Sequence, residues 1–215
     1  MPFPRPYRAL YPRVILCFVL LLGRGNKCLV IARDGVFGIG TNLLYDAAAV
    51  PSVTLEASLS PHWSAGLDVG FACWKNYRKH YCYQIYDTEI FVRRWFGRAN
   101  DGQRLTGHHA GIYGQALHYD LQPGGDGRLA RAPYLAAGLE YGYSFRIGEH
   151  LTLDLSVGAG YMCGRYETYI PMDGEDVWTG TFERRWTGPT RARVSLVWIL
   201  GKGVKASSGR RAEWR

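Results

Sequence analysis

Lysine is scarce in this chain. Five occur in 215 residues (Lys27, Lys75, Lys79, Lys202 and Lys205), and none lies in a segment that reads as a strand. A water-soluble β-protein spreads lysines over its outer faces and edges, so their absence argues against a solvated strand face. Long apolar runs are also missing. Beyond the N-terminal segment no stretch reaches ~18 apolar residues, which excludes a helix that spans a membrane there. No segment carries a sustained 3.6-residue period with caps, which excludes a helical bundle.

Other absences narrow the chemistry. The five cysteines have no zinc spacing. "FGIGTNL" has two glycines of a dinucleotide fingerprint but neither the third nor a following helix. "DGEDVW" and "QPGGDG" lack the ligand spacing of an EF-hand and read as solvated loops. No cofactor and no metal is expected. The net charge of +8 is not a basic surface either. Arg5, Arg8, Arg13 and Arg24 stand unopposed at one end; five bases from Lys202 onward face Glu213 at the other. Each end holds a net four, so residues 26–201 are neutral, which excludes a nucleic-acid footprint on the folded body.

What is present is alternation. "HLTLDLSVGAGY" (150–161) sets Leu151, Leu153, Leu155 and Val157 against Thr152, Asp154, Ser156 and Gly158. That is a β-strand with unlike faces. Eight such segments are read: 37–47, 53–59, 63–73, 83–96, 105–119, 134–147, 151–166 and 191–200. The faces of 105–119 are ambiguous. Turn residues such as "SPHW", "GRANDGQR" and "IGEH" separate the segments. Connections alternate between short and long, with 120–133 and 164–189 the longest. Ahead of them, "MPFPRPYRALYPR" and "VILCFVLLLG" read as the basic and apolar regions of a secretory signal peptide. The expected organisation is a signal peptide over 1–27, a barrel domain over 36–201 and a basic tail over 202–215. Cys28 is read as an ordinary cysteine rather than a lipidation site.

The polar face is unlike a solvated one. It is mostly Gly, Ser, Ala and Thr with isolated charges: Glu56, Asp68, Asp87, Glu89, Glu140 and Asp154 against Arg93, Arg146, Arg191 and Arg193. Small residues suit a narrow lumen, and charges inside one must pair. Aromatics collect at strand ends. One expected girdle holds Phe37, Trp63, Trp95, Phe96, Phe145 and Trp198, the other Tyr45, Trp74, Tyr83, Tyr119, Tyr134 and Tyr166. Membrane interfaces select such girdles. The expectation is an all-β, eight-stranded antiparallel up-and-down transmembrane β-barrel in the cell outer membrane, its apolar face toward lipid. A periplasmic or secreted lipocalin-like carrier of an apolar ligand is the soluble alternative.

Several stretches resemble a known family. "FGIGTNLLYDAAAVPSVTLEASLSPHWSAGLDVGF", "EIFVRRWF", "GHHAGIYGQALHYD", "YLAAGLEYGYSFRIGEHLTLDLSVGAGY" and "TGPTRARVSLVWIL" are similar to an uncharacterised group of Gram-negative envelope proteins, domain of unknown function 3575. The resemblance implies an outer-membrane, barrel-like fold and carries over no catalytic residue.

Candidate sites are few. Cys73 and Cys82 flank one connection and are expected to form a loop-closing disulfide in an oxidising compartment, with Cys163 as a competitor. The long segment with Trp178, Phe182, Arg184, Arg185 and Trp186 is expected to be an interaction loop that meets a surface glycan or an envelope protein. The expected role is structural, anchoring or interacting, not enzymatic, in a barrel too narrow for a general porin. A lipid-modifying enzyme using His118 with Asp120 is the catalytic alternative.

Overall fold

The computed structural model describes residues 36–76, 80–96, 105–172 and 175–201. The expected signal peptide, Cys28 and the basic tail lie outside the described residues. Nine strands and one short helix occur among the described residues. They are β1 (Phe37–Asn42), α1 (Leu43–Ala47), β2 (Ser52–Ser60), β3 (Trp63–Asn76), β4 (Tyr81–Trp95), β5 (Gly107–Pro123), β6 (Gly127–Leu129), β7 (Tyr134–Arg146), β8 (Leu151–Met172) and β9 (Glu175–Leu200).

All pairings are antiparallel, mostly between chain neighbours. β9 returns to β1 from Phe37↔Leu200 to Asn42↔Ser195. The protein is therefore all-β, one antiparallel sheet whose hydrogen bonds ring through eight strands. The ninth strand, β6, is an insert. β5 and β8 run past the start of β7, and β6 bridges them through Asp120↔Leu129 and Leu129↔Glu167.

Closure sorts the side chains by parity. Residues turned inward are the polar set, and Thr54, Glu56, Asp68, Glu89, Arg93, Asp154 and Ser195 are buried. Residues turned outward are the apolar set, and Leu55, Ile90, Leu139 and Val157 are exposed. Val157 is 65% exposed and belongs to this outward apolar set. The ambiguous strand is resolved by register. Trp95↔His109, Arg93↔Gly111 and Phe91↔Tyr113 put the odd residues of β5 inside.

Interior glycines make room for large inward side chains. Gly66 lies beneath the Phe91 ring, and Gly142 lies against His109, with no space for a Cβ at either. The ends are closed differently. At the lower end, where the 60–63 turn lies, Val36, Trp95, Leu105 and Ile199 form an apolar plug. At the upper end α1 folds over the opening.

Several sequence expectations are corrected here. Residues 43–47 are helical, because the Asn42 side chain caps α1 by accepting from the Leu44 N–H at 3.2 Å. The 164–189 connection is not a loop but a hairpin of β8 and β9, paired out to Met172↔Glu175. Lys75 falls in β3. Trp95 belongs to the buried plug at 5% exposure rather than to a girdle, and its indole donates to Ser64 Oγ at 2.8 Å. Tyr45, Tyr119, Tyr134 and Tyr166 also leave the upper girdle, Tyr119 and Tyr166 because their strand parity is inward. Tyr45 sits on α1 and turns inward, and Tyr134 is buried over Gly164.

Candidate functional site: a charged interior and a projecting hairpin

Nine of the ten charged residues read as interior are brought together. Arg93, at 1% exposure, is the hub of the lower half. Its Nη1 donates to Glu56 Oε2 at 3.0 Å and its Nε to Glu140 Oε1 at 2.7 Å, while Nη2 lies 3.4 Å from Asp154. Arg191 pairs with Glu89 and Glu140. Arg193 reaches Asp68 at 2.9 Å and donates to Thr54 Oγ1 at 2.6 Å. The tenth, Arg146, is a correction. Its parity is inward, but it stands at the last residue of β7, where its guanidinium donates to the carbonyls of Gly148 and Glu149. The turn supplies acceptors nearer than any interior carboxylate.

Neutral groups fill the remaining valences. Ser64 donates to Glu56 at 2.6 Å, Ser144 to Asp154 at 2.7 Å and Thr54 to Asp68 at 3.0 Å. Sequence reasoning missed the aromatic centre. Phe91 sits with the Arg93, Arg193 and Arg191 guanidiniums 4.3, 5.2 and 5.5 Å from its ring centroid. Such contacts are worth about 2 kcal/mol or more when desolvated. Its parity with Asp87, Glu89 and Arg93 was the available signal. His109 was also missed as an interior residue. It is fully buried, its ring tilted against Trp95 at 4.6 Å between centroids, with Nε2 3.5 Å from Asp154.

The β8–β9 hairpin extends beyond the ring. Residues 181–187 are exposed on both faces, which holds Phe182, Arg184, Arg185 and Trp186 in solvent. Trp178 is exposed as well. The β8–β9 register shifts twice, between Gly158 and Ala159 and between Thr168 and Tyr169, and the second shift changes the face of Trp178 relative to Phe182. Phe182 and Trp186 therefore share the inward parity and Trp178 the outward one, so the expected cluster is split. Phe182 stacks on Tyr166 at 5.5 Å, and Glu183 pairs with Arg165.

Cys73 and Cys82 are not bridged. The register pairs Cys73 with Gln84 and Lys75 with Cys82, two residues out of step. Diagonal neighbours stand about 7–8 Å apart, too far for the ~4 Å between the Cβ atoms of a disulfide. The Cys82 thiol instead donates to Asp120, which also accepts from the Tyr169 hydroxyl at 2.7 Å. Burial and this hydrogen bond keep the Cys82 thiol from reagents in solution. A buried thiol of this kind is inert. A maleimide at pH 8 is therefore expected to label Cys73 and to leave Cys82 untouched until the chain is unfolded. Equal labelling of both in the folded protein would contradict this arrangement. Asp120 is thus engaged by Tyr169 and Cys82, while His118 contacts the Tyr86 ring at 6.0 Å.

No helix among the described residues is long and apolar enough to cross a membrane. No group of His, Cys, Asp and Glu among them converges as a metal site. No curated protein and no solved structure matches the chain. The sequence pattern of one family, described as a protein of unknown function (DUF3575), matches residues 14–200. That span is most of the chain, and the protein is a member of the DUF3575 family.

Proposed function

We propose that this protein is an eight-stranded outer-membrane β-barrel with a structural, anchoring or surface-interaction role. The observation that carries the reading is the inverted ring, with charges inside and leucines, valines and isoleucines outside. Water penalises exposed apolar area by roughly 25 cal/mol per Å². A continuous apolar belt around a closed sheet has a natural solvent in lipid. Trp63, Phe96, Phe145 and Trp198 remain exposed at the lower end and suit an interface girdle. Arg94 lies 5.9 Å from the Trp63 ring and 5.8 Å from Phe96, with its charge at that same level.

The interior supports no conducting role. Side chains from opposite walls meet across it and the lower end is plugged, so a general porin is disfavoured. An apolar carrier is disfavoured as well, because the lining is polar. The hairpin is the surface that remains for contact, through Phe182, Trp186 and the arginines between them. A surface glycan or an envelope protein fits that chemistry.

The test is physical. The folded protein should be recovered in outer-membrane fractions and should migrate faster on a gel unheated than boiled. A product that is monodisperse in buffer without detergent would overturn the membrane reading. Deletion of residues 165–185 should preserve the heat-modifiable migration and abolish any partner capture.

A further inference from the structure

The interior holds more acid than base. Six buried carboxylates face three guanidiniums among the described residues. Five of the carboxylates lie within ion-pair distance of an arginine. Asp87 does not. At 3% exposure its oxygens accept from the Tyr45 hydroxyl at 2.7 Å, from Gln115 Nε2 at 2.9 Å and from the backbone of Thr88, all of them neutral. A buried, ionised carboxylate without a counter-charge costs several kcal/mol.

Asp87 also lines a cavity. A space of about 110 Å³ lies beneath α1, walled by Asp68, Asp87 and Glu89 with Arg191, Arg193 and Gln115. Three acids face two guanidiniums at this spot. The buried Asp68 Oδ1, on the same wall, has no hydrogen-bond partner among the described residues. Neutral oxygens are at hand, since Tyr45, Asn42 and Thr190 line the same space. Room for roughly three or four waters, at about 30 Å³ each, suits a compact ion that keeps part of its hydration. The described acids do not converge as a multidentate metal site, which favours one carboxylate with neutral oxygens over a transition-metal centre.

We infer that this cavity binds one small monovalent cation, an alkali ion or ammonium, against the carboxylate of Asp87. The cation supplies the missing counter-charge, and α1 closes over it through Tyr45. Trp74 and Tyr83 hold the turn after α1 by donating to the carbonyls of Ala49 and Ala48, each at 2.8 Å. The site does not depend on the membrane reading, since it rests on the ring interior alone.

The full chain, folded in a neutral detergent, is unfolded by heat in the chlorides of sodium, potassium, ammonium and N-methylglucamine at equal ionic strength and neutral pH. At least one small cation should raise the midpoint saturably by roughly 5 °C over the bulky one. Asp87→Asn should erase the difference between salts. Equal wild-type midpoints in all four salts would overturn the inference. So would a midpoint that ignores the salt but rises on acidification, which would place a proton on Asp87 instead. An Asp87→Asn protein that keeps the full response would also overturn it. Where Asp87→Asn does not fold, Gln115→Glu should steepen the response, and an unchanged response in that variant would count against the site.

Discussion

Replacing Arg93 by methionine is expected to destabilise the fold by about 3–5 kcal/mol, the usual cost of removing one partner from a buried ion cluster. Methionine keeps the length of the stem, so lost packing is a minor part. What remains is the charge of Glu56, Glu140 and Asp154, all buried around the vacated guanidinium. Glu140 retains Arg191, so Glu56 and Asp154 carry most of the cost. Arg94 provides the control. It is the next residue, but it points outward, and Arg94→Met is expected to stay within about 0.5 kcal/mol. Adding Glu56→Gln to Arg93→Met should recover part of the loss, because it removes one stranded charge. Denaturant unfolding in detergent, followed by tryptophan fluorescence and by gel migration, measures all four proteins. Equal stability of the Arg93 and Arg94 variants would refute the ion cluster as the core of the fold.

The second large effect concerns the outer face. Leu139 lies mid-strand in β7 and is 68% exposed. In lipid, arginine there should cost about 2–4 kcal/mol, the penalty for a charge near the bilayer midplane on a barrel's outer face. In water, the same substitution at an exposed site would fall within about 0.5 kcal/mol. The two solvents therefore predict clearly different outcomes for one variant. Val177→Arg is the matched control, since Val177 is exposed on the projecting hairpin beyond the ring. Reversible unfolding from lipid vesicles should show a large loss for Leu139→Arg and little for Val177→Arg. Equal small losses would mean that Leu139 faces water, and the membrane reading would fall with them.

The strands were legible for a simple reason. A side chain at i and one at i+2 share a face whatever the partner strand is, so parity can be read without a fold. That sufficed for Glu56, Asp68, Asp154 and Arg193, and for the leucines opposite them. It failed where local chemistry overrides parity. Leu43 and Tyr45 alternate like strand residues, but Asn42 caps a helix. Arg146 has inward parity, but a turn beside it offers carbonyls. The hairpin was read as a loop because both its faces are solvated, and a strand with two wet faces has no amphipathic signature. His109 was obscured because β5 mixes polar, apolar and glycine residues on both parities.

The candidate site was legible as a list of charges and not as a set of pairs. Arg93 finds Glu140 from 47 positions away, and Arg193 meets Thr54 across 139. No spacing rule links such residues, since ring closure and register bring them together. The same holds for Cys73 and Cys82, close in the chain but set two residues out of step by the β3–β4 register. The sequence alone determined that the chain has one polar and one apolar strand face, because alternation is a local property of the backbone. Only the tertiary structure decided which carboxylates have counter-ions and that Asp87 has none among the described residues, because charge balance in a closed interior depends on every strand around it.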